Sequence, residues 1–173
     1  LLSRVTQDDM ILLRGSSVSD TIYRAEFSPD GQRIVTAQRN GTVTLWDAER
    51  GRRIYERQLN LDKLWIARFS PDGTRLLVTS LSGEGRILDA RNGEILARLT
   101  VDTDEPGIMR GGCFSPDGTR VAATLSDKTV RVWDSATGTL ESTFRLNSIP
   151  YDLDFTPDGA HMAVALVTPG EAV

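Results

Sequence analysis

The chain has 173 residues, 39% hydrophobic and 25% charged, with 20 Lys and Arg against 24 Asp and Glu. That length supports a real core without disulfide or metal staples, and the mixed charge excludes a nucleic-acid-coating basic face and a disordered acidic tail. A single cysteine, Cys113, excludes an internal disulfide framework, and a single histidine, His161, is too few for a His-ligated metal centre. No apolar run approaches the ~18 residues of a membrane span, and the opening Leu1-Leu2-Ser3-Arg4 lacks the layout of a secretion signal, so a cytoplasmic location is expected.

Taken in chain order, residues 3–5 and 10–14 fit two short strands. Four units then open on one pentapeptide: Phe27-Ser28-Pro29-Asp30-Gly31, Phe69 to Gly73, Phe114 to Gly118, and Phe155-Thr156-Pro157-Asp158-Gly159. The Phe positions lie 42, 45 and 41 residues apart. In the first three units a second motif follows each Phe at an offset of 19: Leu45-Trp46-Asp47, Ile87-Leu88-Asp89 and Val132-Trp133-Asp134. A glycine stands four residues after each of those aspartates, at Gly51, Gly93 and Gly138. Pro-Asp-Gly is turn chemistry: proline presets φ, aspartate bonds its own backbone, and glycine takes positive φ. The runs between are β-favouring, as in Arg33-Ile34-Val35-Thr36 and Thr129-Val130-Arg131-Val132-Trp133, and Asn40-Gly41 is a hairpin signal. Each unit therefore reads as four antiparallel strands, near residues 22–59, 64–100 and 108–146. The last supplies two, at 151–156 and 161–167. The fold class is all-β.

This motif set resembles the WD-repeat family of β-propellers, in which each repeat of ~40–45 residues supplies one four-stranded blade. The resemblance divides the chain into the end of a preceding blade (1–15), three blades (16–60, 61–104, 105–147) and an incomplete blade (148–173). Trp46, Asp47, Asp89, Trp133, Asp134 and Asp127 are its structural repeat residues. The family's Gly-His dipeptide is missing, Leu88 replaces one Trp, and only Asp127 keeps the acidic residue six positions before the Trp. The chain reads as part of a larger ring. Closure alone as a four-bladed ring, or by dimerising, stays open.

The acidic excess is mostly turn chemistry, since seven aspartates (Asp30, Asp47, Asp72, Asp89, Asp117, Asp134, Asp158) sit in repeat turns or strand ends. Cys113 reads as a small buried hydrophobe and His161 as a turn-edge residue. Asp152 and Asp154 share a strand face without signs of an acid–base pair, and Gly83-Glu84-Gly85 and Gly111-Gly112 do not extend to a phosphate cradle. Arg50, Arg52, Arg53 and Arg57 read as charge guarding an outermost strand. Asp102, Asp104 and Glu105 make the loop before the third blade an acidic spacer.

One row points to recognition. Four residues before each repeat Phe stand Tyr23, Trp65, Arg110 and Tyr151, residue types enriched at interaction hot spots. The resemblance places them with Lys63 and Arg39 around the mouth of the central channel. Two roles fit the row: display to a partner, or packing between adjacent blades. The function implied is a non-catalytic scaffold presenting its top face to a protein or peptide. The alternative is a sensor segment of a larger bacterial signalling ATPase or kinase, and a propeller enzyme is the weakest reading. No cofactor, metal, nucleic acid or membrane is expected as a partner.

Overall fold

The computed structural model describes residues 13, 21–61, 63–101 and 107–167. The acidic loop residues Asp102, Asp104 and Glu105 and most of the expected leading strands lie outside the described residues. The first blade orders β1 (Ile22–Phe27), β2 (Arg33–Gln38), β3 (Thr42–Asp47) and β4 (Arg53–Gln58) in sequence. The second comprises β5 (Leu64–Phe69), β6 (Arg75–Ser80), β7 (Gly85–Asp89) and β8 (Ile95–Leu99). The third has β9 (Met109–Phe114), β10 (Arg120–Leu125), β11 (Thr129–Asp134) and β12 (Leu140–Arg145). A two-stranded sheet, β13 (Pro150–Phe155) with β14 (Met162–Leu166), opens the fourth. Every pairing is antiparallel, and the described residues contain no helix.

The Pro-Asp-Gly turns repeat one hydrogen-bond unit. Gly31 N donates to Ser28 O at 2.8 Å, Ser28 Oγ donates to Asp30 Oδ1, and Asp30 Oδ1 also accepts from Gln32 N at 3.0 Å. Ser70 with Asp72, Ser115 with Asp117 and Thr156 with Asp158 do the same. These donors favour the carboxylate, so the Ser70 and Ser115 hydroxyls hold Asp72 and Asp117 down at about 2. Each turn glycine has φ near +70°, the left-handed region in which a side chain is strained. Asp47, Asp89 and Asp134 close the later turn, accepting from the backbone N–H of Arg50, Arg91 and Thr137 respectively. Arg50 and Arg52 belong to that turn and only Arg53 and Arg57 lie in β4, which corrects the reading of all four as strand residues.

The apolar core lies between blades, because a blade with both faces apolar can bury them only against its neighbours. Val35, Leu45, Leu64, Leu76 and Leu88 join blades one and two; Leu77, Ile87, Leu99, Leu125 and Trp133 join two and three. A third cluster, including Cys113, Val130, Val132 and Leu153, joins three and four. Burial pushes the Cys113 thiol up to about 12, so at neutral pH it is a packing group rather than a nucleophile.

The two tryptophans and Leu88 show how a degenerate repeat keeps its hydrogen bonds balanced. Trp46 Nε1 donates to Thr36 Oγ1 at 3.0 Å, both groups being buried in blade one. Blade two has Leu88 for the tryptophan and Val78 at the place of Thr36, so donor and acceptor are lost together. In blade three Ala123 takes the threonine's place, and Trp133 Nε1 turns to the Thr100 carbonyl at 2.6 Å. Asp127, the sole survivor of the family's acidic position, accepts from Thr129 and from Arg131 Nη2 at 2.7 Å instead. Thr36→Val is expected to cost about 1–3 kcal/mol by stranding the Trp46 donor. Thr36→Val with Trp46→Leu, which copies the blade-two pair, should cost less than the sum of the single changes. A double-mutant cycle by urea unfolding measures the difference.

Candidate functional site

The first strands of the four sheets, β1, β5, β9 and β13, start with a common irregularity. Ile22 pairs with Gln38 and Arg24 with Ala37, which leaves Tyr23 without a cross-strand partner. Trp65 is skipped in the same way between Leu64 and Ile66, and Tyr151 between Pro150 and Asp152. In the third blade the pairing steps from Gly112 to Met109, passing over Arg110 and Gly111. A β-bulge bends its strand and re-aims the extra side chain. Here it does so at one position in every blade, and the four residues of the row are the bulge residues.

The bulges bring the row together. Tyr23, Trp65, Arg110 and Tyr151 line one cleft of about 200 Å³, together with Arg24, Gly111 and Asp152. Tyr23 and Trp65 stack across the first blade junction with ring centroids 5.2 Å apart and planes tilted by 44°. Across the third junction the Arg110 guanidinium lies 5.8 Å from the centre of the Tyr151 ring. The rings nonetheless keep a solvent face, with Tyr23 40% and Tyr151 37% exposed. Packing between blades and display at the surface are therefore properties of the same side chains. Such pairs hold the aromatic side chains in one arrangement.

Gly111 lets the third and fourth blades close on the cleft. A Cβ there would stand 2.7 Å from Asp152 Cα and 2.9 Å from the Tyr151 carbonyl oxygen. Its N–H is satisfied by Thr124 Oγ1 at 2.8 Å, where the ladder bond is interrupted. Gly111 is thus a close-approach residue, a role its sequence neighbourhood did not suggest.

Beneath the aromatic row lies a charged layer. Arg68 extends between blades, its Nε 3.5 Å from Glu26 Oε2 and its Nη2 3.8 Å from Asp152 Oδ2. Glu26 also accepts from Phe69 N at 3.1 Å, and burial raises its carboxyl above the ordinary value. Asp154 adds a like charge to that layer. Glu26, Arg68 and Asp154 each occupy the residue immediately before a repeat Phe. Their common offset is the signal that would have identified them.

Lys63 and Arg39 do not line the cleft. Both are exposed on the connections outside it, where Arg39 N donates to Thr21 O, Lys63 N to Arg39 O and Leu81 N to Lys63 O. Lys63 takes φ 51°, an uncommon conformation for a side-chain-bearing residue, to complete that relay. His161 is exposed, as its turn-edge position implied. Among the described residues no group of three or more His, Cys, Asp or Glu side chains is placed to hold a metal ion.

A search of the curated proteins finds no match to the chain. The family model described as "WD domain, G-beta repeat" matches residues 10–47 and 107–134. These segments contain β1 to β3 and β9 to β11, the three inner strands of blades one and three. The unmatched blade two keeps the same strand order and turns, and differs at Leu88, where the repeat's tryptophan is lost. The fold is the one generally associated with non-catalytic protein-interaction scaffolds. With matched repeats on either side of a blade of identical topology, the described residues form a partial, WD40-like β-propeller fold.

Proposed function

We propose that the protein is an interaction module that presents the cleft at Tyr23, Trp65, Arg110 and Tyr151 to a protein or peptide partner. The observation that carries this reading is the bulge repeated in four blades, which turns one aromatic or guanidinium side chain per blade into a single cleft. Each anchor combines a large apolar face with a polar tip, and each is held by a neighbour from the next blade. Arg24, Arg110 and Asp152 supply polar groups at the cleft wall, while Lys63 and Arg39 stand exposed on the connections outside it. A scaffold of this kind works by surface complementarity and makes or breaks no bond.

Peptides selected from a displayed random library against the intact chain provide the probe. Trp65→Ala and Tyr151→Ala should each weaken the selected peptides by about 30-fold, corresponding to ~2 kcal/mol at a hot spot. The far-ultraviolet spectrum should stay unchanged, because both side chains keep a solvent face. Peptides that bind these variants as tightly as the parent chain, with selection reproducible on another surface, would refute the cleft as the recognition site.

A further inference from the structure

The cleft is one-sided in its hydrogen bonding. Tyr23, Trp65, Arg110 and Tyr151 bring two phenol hydroxyls, an indole N–H and a guanidinium to it, and Arg24 brings a second guanidinium. Indole and guanidinium groups donate and do not accept. Among the described residues none of these five side chains has a hydrogen bond or a salt bridge. Their contacts are the Tyr23–Trp65 stack, the Arg110 guanidinium on the Tyr151 ring and the field of Arg24 on Glu26.

The carboxylate of the cleft is already engaged. Asp152 Oδ1 accepts from Leu153 N at 3.0 Å, and Oδ2 faces Arg68 Nη2 at 3.8 Å. Two guanidinia against one carboxylate leave the wall with a positive charge in excess. Arg110 holds the central place, on blade three, with Trp65 of blade two and Tyr151 of blade four in the same cleft. Its contact with Tyr151 uses the face of the ring and leaves the guanidinium N–H groups to other acceptors.

The sign of a ligand charge follows from this inventory. An ammonium group in the cleft would meet two guanidinia of like sign, and would reach Asp152 only at the expense of its present contacts. A carboxylate would meet both guanidinia and the indole and phenol donors, with no group displaced. Arginine holds a carboxylate by two parallel N–H···O bonds, which are stronger than neutral ones. In the charged layer below, Glu26, Asp152 and Asp154 stand with Arg68 and oppose any further negative charge.

We infer that the cleft takes a segment of a partner protein carrying one Asp or Glu side chain beside an apolar one. The carboxylate lies on Arg110 and Arg24, and the apolar side chain against Trp65 and Tyr23. This rests on the cleft being the recognition site. One negative charge matches the excess in the wall. A phosphoryl group, with about two charges near neutral pH, exceeds it and faces the carboxylates below.

The peptides selected against the intact chain give the first readout. Those that bind less well to Trp65→Ala should be rich in Asp and Glu and poor in Lys and Arg relative to the library. The tightest of them is then synthesised with its acidic residue changed to Gln, Lys or phosphoserine. The Gln peptide should bind about tenfold more weakly and the Lys peptide about thirtyfold. These ligand-side changes read the charge preference without altering the protein. Arg110→Gln should shrink the loss on Glu-to-Gln exchange from about tenfold to about threefold or less, whereas Arg110→Lys should keep most of it. Peptides sensitive to Trp65→Ala that are basic or uncharged would overturn the inference and leave the cleft as the recognition site. A Glu-to-Gln loss of the same size in Arg110→Gln, or a phosphoserine peptide tighter than the acidic one, would also overturn it. A selection that yields no peptide sensitive to Trp65→Ala would remove the recognition site and this inference together.

Discussion

Gly138→Ala should be among the most damaging single-methyl additions in the chain, and Gly31→Ala a mild one. Both glycines take the left-handed conformation, with φ of 74° and 70°. The conformational cost of a Cβ there is common to the pair, about 1–2 kcal/mol. The difference is space. A Cβ on Gly31 meets nothing within 4 Å, whereas one on Gly138 would stand 2.2 Å from the Arg98 carbonyl oxygen and 2.8 Å from its carbon. Both atoms are backbone at the end of β8, so relief requires moving blade two away from blade three. That movement would also break the bonds from Thr100 N and Thr100 Oγ1 to the Gly138 carbonyl, at 3.1 and 3.2 Å. Urea midpoints should show Gly138→Ala losing at least about twice the stability that Gly31→Ala loses. Equal losses would show that the turn conformation alone, and not blade contact, fixes these glycines.

The second large effect is expected at Arg75. Its guanidinium donates to Gly118 O and, through Nη1, to Ser135 Oγ at 2.8 Å, while its plane lies against Phe114. Arg75→Ala removes two charge-assisted hydrogen bonds and a cation–π contact from one junction, a loss of about 3 kcal/mol. The socket does not then simply refill, because Ser135 is buried beside it and Phe114 gains a water-exposed face. Arg75→Lys should recover less than half of the loss, since an ammonium group cannot span two acceptors and lie flat on a ring. Arg33→Ala should cost less than Arg75→Ala. Arg33 makes the Gly73 bond and covers Phe69, and Ala90 stands in blade two where Ser135 of blade three gives Arg75 its second acceptor. Thermal melts of the three variants give the order directly.

Strand positions, turn types and the repeat period were legible in the sequence because they depend on residues within one unit. The Pro-Asp-Gly turns and the Trp-Asp strands carry their own instructions, and β1 to β14 follow them. The row of Tyr23, Trp65, Arg110 and Tyr151 was legible as a recurring offset. The bulges that aim the row were not, since a bulge present in every unit leaves no change of spacing to notice. Lys63 and Arg39 lie outside the cleft for a related reason: they stand on the connections, beyond the bulge that turns the row inward. Glu26, Arg68 and Gly111 were missed because their partners come from other blades. Arg68 meets Asp152 from a unit two repeats away, and no local pattern reports that contact.

The arginine contact between blades runs one way. Arg33 reaches forward to Gly73 and Arg75 forward to Gly118, so blade two receives such a contact on one face and makes one on the other. A stretch of chain that carries both, such as Leu64–Leu99 with its flanking turns, holds all the information needed to follow one unit and precede another. Gene duplication of such a stretch would deliver a blade already fitted to both neighbours, with no matching change elsewhere. The polarity of the junction thereby permits a lineage to change its number of blades one at a time.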